Sequence, residues 1–600
     1  MDNVEIARVL AEVADVLEIQ GADPFRIRAY RNAVRTVEVQ TRPLARMVAE
    51  GVPLTGLPAI GREMAGHIRE LVATGTLGFL DGLLADLPRS LLELMRLPGV
   101  GPKKARKLWD ELRIATVDEL EAAARGGRLA ALAGFGDKSQ AKILAGIEDH
   151  RLHSSRLLLA DAERYVEPLV GYLSECRELE RLEVAGSYRR RCETVGDVDL
   201  LATATQAAPV MRHFLAYAQI GQVLMAGDTR STITLGNGLQ VDLRVVPPDC
   251  YGAALLYFTG SKEHNVKLRR RAIERGLRIS EYGVFRAPAP GAGGTAGGKG
   301  APGAAGEDGT WIAGREEADV YAEVGLAWIP PELREDRGEI EAAAAGRLPR
   351  LVEVADLRGD LQMHSTWSDG RNTLEEMVAG CAAHGYEYMA ITDHSKALAM
   401  VNGLDARRLA LQWLEIDAIR ARHPEIRLLR AMEIDILADG SLDLEDEMLA
   451  GLDLVVVSIH SRFELPLAQQ TERVLRALAH PEVNILAHPT GRKINRRKPI
   501  ALDMEAVLRR AAELGVAVEL NAQPDRLDLK DTHLSLAREL GCRIVISTDS
   551  HRVAELGTMR YGVEQARRAG LEPRHVLNTL PAGEFLRAIA RPPAPLLPAV

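Results

Sequence analysis

Between residues 360 and 551, seven short apolar runs (DLQMH, YMAIT, IRLLRAMEID, LDLVVVSIH, VNILAHP, VAVELNA and RIVISTD) alternate with helix-length segments. Parallel strands need a crossover long enough to hold a helix, so this alternation implies parallel strands closed into a sheet or barrel. Nearly every metal-capable side chain of this half sits at the C-terminal end of one of those runs, which is where α/β barrels place their chemistry. They lie in DLQMHSTWSDG (360–370), ITDHS (391–395), AMEID (431–435), SIHS (458–461), LAHPTGR (486–492) and STDSH (547–551). Histidine, aspartate and glutamate without cysteine suit borderline-hard divalent ions such as Mn²⁺ or Zn²⁺. One strand-end histidine is more often structural than a ligand. Five of them with three acidic partners form a pattern that chance does not supply.

A chain of 600 residues is too long for one hydrophobic core, and about three to five domains are expected. The apolar fraction of 46% and charged fraction of 26% are ordinary for globular protein, and no apolar run nears the roughly 20 residues that span a bilayer. The acidic, amphipathic start MDNVEIARVLAEVADVLEIQ does not suit a secretory signal. Five scattered cysteines without a CxxC pair read as reduced cytosolic thiols. A net charge of −9 excludes a protein that is basic all over, but nucleic-acid binding needs only a local basic face. Metal-holding carboxylates also lower the formal charge before their ions are counted.

Up to about residue 153 the chain reads as short helices. Three similar pieces recur there: LPAIGREMAGHI (57–68), LPGVGPKKARKL (97–108) and LAGFGDKSQAKIL (132–144). In each, a glycine turn (Gly61; Gly99 and Gly101; Gly134 and Gly136) precedes a helix whose first N–H groups lack intrahelical partners. Those groups and the helix dipole suit a phosphate oxygen or a bridging cation, the helix-hairpin-helix pattern that holds DNA backbone without reading sequence. The plainer reading is that each glycine only ends one helix and starts the next.

From about residue 182 the pattern turns β-rich, in RLEVAGSY, DVDLLATA, STITLGNGLQVDLRVV and ALLYFTG. In GSYRRRCETVGDVDLL (186–201), Asp197 and Asp199 stand two apart on a strand and point to one face. Two carboxylates so close repel unless divalent ions lie between them. Gly186, Ser187, Arg190 and Gly196 supply approachable backbone, a hydroxyl and a cation for a triphosphate, and Asp242 in QVDLRVV adds a third carboxylate. A lone DxD can sit on any solvated edge; GS, then DxD ten residues on, then a strand Asp marks nucleotidyl transfer much more narrowly. Residues 287–309, almost wholly Gly, Ala and Pro, read as a mobile insertion inside one domain, and 331–355 as a polar linker.

The segment YFTGSKEHNVKLRRRAIERGLRISEYGVF (257–285) closely resembles the nucleotide-selecting region of family X DNA polymerases. By that resemblance Tyr257 and Phe258 flank the sugar, Gly260 and Ser261 form the backbone kink beneath it, Asn265 reaches the minor-groove edge and Arg269 contacts the template strand. Arg244 would pair with an active-site aspartate in the open enzyme. Lys262 and Arg191 depart from the animal enzymes, which carry Asp and Gly there. DPFRIRAYRNAVRTV (23–37) resembles the start of the family's small N-terminal domain, placing Arg26 and Tyr30 where a gap's 5′-phosphate is bound; a solvated basic helix face is the alternative. His67 stands where the animal enzymes have a Schiff-base lysine and Glu63 replaces a nearby lysine, and imidazole cannot form that imine, so lyase activity is not expected.

The order of the strand-end residues is similar to the polymerase and histidinol phosphatase (PHP) domain, a distorted α/β barrel holding up to three metals. The resemblance implies one metal on His364, Glu433 and Asp549, a second on Glu433, His460 and His488, and a third on Asp369, His394 and His551, with Arg492 on the scissile phosphate. The family's first motif is His-x-His, but here it is Gln362-x-His364. In bacterial family X polymerases this domain is a 3′–5′ exonuclease.

The expected architecture is therefore multidomain, α+β and α/β. It comprises a small helical DNA-binding domain (1–80), a helix-hairpin-helix domain (81–153), a nucleotidyltransferase palm with mixed β-sheet (154–246), a nucleotide-selection domain (247–330), the linker (331–355) and a C-terminal distorted (β/α) PHP barrel (356–590). The expected activity is gap filling in DNA repair with Mg²⁺ or Mn²⁺ in the palm and Mn²⁺ and/or Zn²⁺ in the barrel. Gapped or primer–template DNA and dNTPs are its partners, and a cytoplasmic monomer acting at the nucleoid its form. Two other readings stand beside it: a PHP phosphoesterase that uses the polymerase half to dock on DNA, and a non-catalytic scaffold.

Overall fold

A computed structural model describes residues 3–39, 44–84, 87–88, 90–95, 97, 100–129, 132, 135–136, 140, 142–144, 147, 156–286, 309–398 and 401–589. The chain divides into two compact units, one of Met1–Arg156 with Thr234–Leu239, the other of Leu157–Ile233 with Gln240–Val600.

The first unit is helical. Ile6, Leu10, Val13 and Leu17 recur at helical spacing on Asn3–Ile19 and are almost wholly buried, as are Ala33 and Val37 on Pro24–Val39. Gly61 and Gly101 stand at the N-termini of Arg62–Thr74 and Pro102–Leu112 and supply no side-chain hydrogen bond to the first turn. Val117–Arg125, by contrast, starts on a Thr116/Glu119 capping box. Gly99, Gly134 and all of the glycine-rich stretch except Gly309 lie outside the described residues.

The second unit begins with a five-stranded mixed sheet in the order Leu179–Val184, Asp197–Ala204, Gln240–Val245, Arg230–Leu235, Ile220–Met225. Asp197–Ala204 runs antiparallel to Leu179–Val184 and parallel to Gln240–Val245. Helices Tyr251–Thr259 and Lys262–Ile273 follow, then a three-stranded antiparallel sheet (Leu277–Ser280, Gly283–Arg286, Thr310–Ala313). The stretch read as a linker is packed: Arg334 is fully buried against Glu317, and Val352 N–H donates to Leu571 O at 2.9 Å.

The C-terminal half is a nearly closed barrel of seven parallel strands in chain order: Gly359–Asp360, Tyr388–Ile391, Arg427–Asp435, Leu454–Ser458, Ile485–Leu486, Ala517–Asn521 and Ile544–Ser547. First and last strands meet through His364 N–H on Ser550 O, 2.9 Å, and Thr548 N–H on Asp360 Oδ1, 3.1 Å. Alternate residues on one strand enter different cores. Val455 and Val457 pack with the surrounding helices; Leu454 and Val456 join Leu429, Ala431 and Phe585 inside. The last helix, Ala582–Ile589, fills the interior with Phe585 and Ile589. Glu433, two residues beyond Ala431 on the same side of its strand, therefore faces the interior near the strand's C-terminal end.

Candidate active sites

Asp199 and Asp242 lie directly opposite each other in the parallel register, with Asp197 one step along the same face. Asp242 accepts from Thr232 Oγ1 at 2.6 Å, Gln240 Nε2 at 2.8 Å and Arg230 at 3.2 Å. Burial, followed by Asp197 and Asp242, pushes the Asp199 carboxyl up to about 6. Gly186 has φ 65°, and a Cβ there would lie 2.9 Å from Asp199 Oδ2, so only glycine lets the backbone come this near. Ser187 lies on the short helix Gly186–Arg189, and Gly196 immediately precedes the strand of the aspartate pair.

Arg230, missed in the sequence, is the cation that pairs with Asp242. Arg244 lies 4.5 Å over the Phe258 ring, and its charge, ahead of that of Arg230, opposes the rise of the Asp199 carboxyl. Tyr257 and Phe258 stand edge to face at 5.1 Å, and Arg269 reaches 6.0 Å from the Tyr257 ring. Asn265 Nδ2 donates to Tyr257 O at 2.8 Å, while its buried Oδ1 has no hydrogen-bond partner. Gly260 at φ 68° precedes Ser261, whose hydroxyl caps Lys262–Ile273.

The three arginines after Tyr188 are committed to other segments. Arg189 meets Glu317 at 2.8 Å. Arg190 donates to Thr259 O at 2.5 Å and to Glu335 at 3.1 Å. Arg191 reaches Glu163 at 3.1 Å and Glu564 at 3.4 Å. Glu335 also accepts from Arg568 of the barrel, and Glu163 from Arg560 and Tyr561. The arginine run thus ties the aspartate-bearing sheet to the barrel.

In the helical unit, Arg26 pairs with Glu63 at 3.0 Å. Tyr30 is 1% exposed, and its hydroxyl lies 3.0 Å from His67 Nδ1. Burial first, then Glu63, raises the Tyr30 phenol, and burial lowers the His67 imidazole. The Arg26–Glu63 pair is about half exposed on both sides.

At the barrel's strand ends the eight His, Asp and Glu side chains form one connected cluster. Glu433 lies 2.9 Å from His488, 3.1 Å from His394, 3.5 Å from His460 and 3.6 Å from His364. Asp549 meets His364 at 3.1 Å, and Asp369 meets His551 at 3.3 Å and His394 at 3.7 Å. Burial raises the Glu433 carboxyl, but His394, His460 and His488 outweigh it and hold it well below the usual range. Burial is the largest influence on His394 and lowers its imidazole. His488 and Asp549 adopt left-handed backbone at φ 25° and 51°, strain that surrounding structure must impose on non-glycine residues.

The donor set fits divalent ions. His364 Nδ1, His488 Nδ1 and Glu433 Oε2 are buried without hydrogen-bond partners, and all eight residues offer N or O atoms only. Two groups have mutually close ligand atoms: His364, Asp369, His394 and His551, and His394, Glu433 and His460. Gln362 is buried with both amide atoms unpartnered. Arg492 is drawn away from this cluster, bidentate on Glu193 at 2.6 and 3.2 Å and bonded to Leu527 O.

A helical DNA-backbone region, a sheet presenting three aligned aspartates and a metal-cluster barrel define a nucleotidyl-transferring enzyme with an appended phosphoesterase fold. Family models match the chain as a helix-hairpin-helix domain over 1–77, a SAM-like helix-hairpin-helix tandem over 91–149, the DNA polymerase beta thumb over 254–335 and the PHP domain over 360–491. The DNA polymerase/3′-5′ exonuclease PolX of Bacillus subtilis (strain 168) is 38% identical over 580 residues, 96% of this chain and 97% of the relative. A probable phosphatase of Edwardsiella ictaluri is 29% identical over 39% of this chain and 96% of its own length, and one of Acetivibrio thermocellus 34% over 31% and 76%. The chain belongs to the bacterial PolX family of DNA polymerase/3′-5′ exonucleases.

Proposed function

We propose that the chain is a DNA-directed DNA polymerase that fills short gaps during repair, with a 3′–5′ exonuclease in its barrel. The register pairing of Asp199 with Asp242, beside Gly186 and Asp197, carries the polymerase reading. Asp197, Asp199 and Asp242 hold Mg²⁺ or Mn²⁺, and the eight barrel residues hold Mn²⁺ and/or Zn²⁺, up to three ions. When bound, these ions neutralise phosphate charge and lower the pKa of an attacking oxygen. The chain's own groups do the positioning. Gly186 and Ser187 bring backbone to the triphosphate; Tyr257 and Phe258 present a ring wall to the sugar; Asn265 and Arg269 face the base pair and template.

The glycine turns hold DNA backbone. A Cβ at Gly61, Gly101 or Gly136 would meet nothing within 4 Å, so nothing inside the protein demands glycine there, and a phosphate outside supplies a reason. The proposed domains keep the sequence boundaries, with 154–246 as palm and 356–590 as barrel. A monomer in the bacterial cytoplasm, working on gapped or primer–template DNA with dNTPs, completes the reading; among the described residues no helix is long and apolar enough to cross a membrane. A docking module would have no use for three aligned aspartates, which disfavours a phosphoesterase-only role.

The test is a 5′-labelled primer at a one-nucleotide gap, with Mg²⁺ or Mn²⁺. Extension with dNTPs should vanish in Asp242→Ala and persist in His488→Ala. Shortening without dNTPs should vanish in His488→Ala and persist in Asp197→Ala. A wild-type chain that extends nothing ends the polymerase reading.

A further inference from the structure

The loop after the strand Ala517–Asn521 carries a cation beside the eight-residue cluster whose hydrogen-bond donors the cluster does not use. Arg526 is largely buried, and its Nε and Nη1 have no hydrogen-bond partner. Buried donors of this kind are costly to leave unsatisfied. The nearest carboxylate oxygen, Asp549 Oδ2, lies 3.7 Å from Nε, beyond hydrogen-bond reach. That oxygen already accepts from Asn521 Nδ2 at 2.9 Å, and Oδ1 faces His364 Nε2 at 3.1 Å, so Asp549 is positioned without Arg526.

The loop holds this cation firmly. Asn521 N–H on Asp528 O at 2.6 Å closes its base, Arg526 and Leu527 N–H both donate to Gln523 O, and Lys493 Nζ grips Asp525 at 2.9 Å. Arg492, meanwhile, is bound to Glu193 and Leu527 O.

Building on the exonuclease reading, we propose that Arg526, rather than Arg492, donates through Nε and Nη1 to the non-bridging oxygens of the scissile phosphodiester on the barrel. In the hydrolysis a water oxygen bonds to phosphorus, the P–O3′ bond breaks, and the water's proton goes through solvent to the leaving 3′ oxygen. A deoxynucleoside 5′-monophosphate is released. Arg526 stays protonated throughout and stabilises the charge that builds on the phosphoryl oxygens.

The test uses the full chain loaded with Mn²⁺, comparing wild type, Arg526→Met, Arg526→Lys, Arg492→Met and His488→Ala. Readouts are bound Mn²⁺, kcat and KM for shortening of a labelled primer, and calorimetric affinity for deoxyadenosine 5′-monophosphate, with His488→Ala marking the heat that belongs to the barrel. Arg526→Met should retain its Mn²⁺, lose about 10²–10³-fold in kcat/KM and bind the monophosphate at least about tenfold more weakly. Arg526→Lys should recover part of both, and Arg492→Met should keep monophosphate affinity. Unchanged kinetics and affinity in Arg526→Met overturn the proposal, as does a loss that tracks lost Mn²⁺, which would make Arg526 a brace for Asp549. If the wild-type chain shortens no primer, the exonuclease reading fails by itself. The monophosphate arm then decides Arg526, with equal affinity in wild type and Arg526→Met ending it.

Discussion

Asp199 concentrates charge that its surroundings cannot disperse. Burial and two neighbouring aspartates raise its carboxyl to about 6, so below that pH a proton competes with any divalent ion for the same oxygens. Mg²⁺ affinity of the palm should therefore fall steeply as pH drops from 7.5 to 5.5, and calorimetric Mg²⁺ titrations at the two pH values check this. Gly186 makes a sharper demand. Alanine there would put a Cβ 2.9 Å from Asp199 Oδ2 and strain a backbone at φ 65°. A displacement of that carboxylate by even part of an ångström should lower kcat for extension by about 10²-fold while the melting temperature changes little. Retained full activity in Gly186→Ala would show that the close approach has no bearing on catalysis.

At the scale of elements, the loop holding Glu193 and the barrel turn holding Arg492 form a joint. Their bidentate pair is nearly buried on the arginine side and one-third exposed on the glutamate side, so solvent screening tempers its worth. Glu193→Ala should destabilise the chain by about 1–3 kcal/mol, more than Arg492→Met, because it strands the nearly buried guanidinium while Arg492→Met leaves a carboxylate that water can reach. A double-mutant cycle read by urea unfolding gives the coupling; a coupling near zero would mean the pair contributes nothing. The family resemblance, together with the rule that such chemistry sits at strand ends, placed Arg492 of LAHPTGR at the barrel's chemistry. Which way its side chain turns depended on Glu193, 299 residues away in sequence. The same rule could have found Arg526, which follows the apolar run VAVELNA, but a lone arginine in a polar loop gives no signal until its unpaired donors are visible.

Across the second unit, buried charged groups link the segments around the aspartate-bearing sheet to the barrel. Glu163 takes Arg191, Arg560 and Tyr561; Asp531 takes Arg337 and Arg568. Glu564 is the poorly matched member: burial, despite Arg191 and aided by Glu163, raises its carboxyl to about 7. Because the folded value lies above the unfolded 4.5, its contribution is intact below about 4.5 and is lost as pH rises through about 7. Glu564→Gln should therefore stabilise the chain by roughly 1–3 kcal/mol at pH 8 and leave it nearly unchanged at pH 4.5, as thermal melts at the two pH values would read. A loss of stability at pH 8 would mean that the Arg191 pair outweighs the burial.

The alternation of seven apolar runs with helices was enough to specify parallel strands in a sheet or barrel with His, Asp and Glu residues at one end, because strand periodicity and crossover length are local properties, and the resemblance to the PHP domain chose the barrel. The GS and DxD spacing likewise placed Asp197 and Asp199 on one strand face. The sequence could not say that Asp242 stands in register with Asp199, that Arg230 meets it, or that the arginines at 189–191 are spent on Glu317, Glu335, Glu163 and Glu564. Those outcomes turn on which of several charges within reach is nearest after packing. Ion pairing acts over a few ångströms between segments hundreds of residues apart, and only the tertiary structure sets those distances.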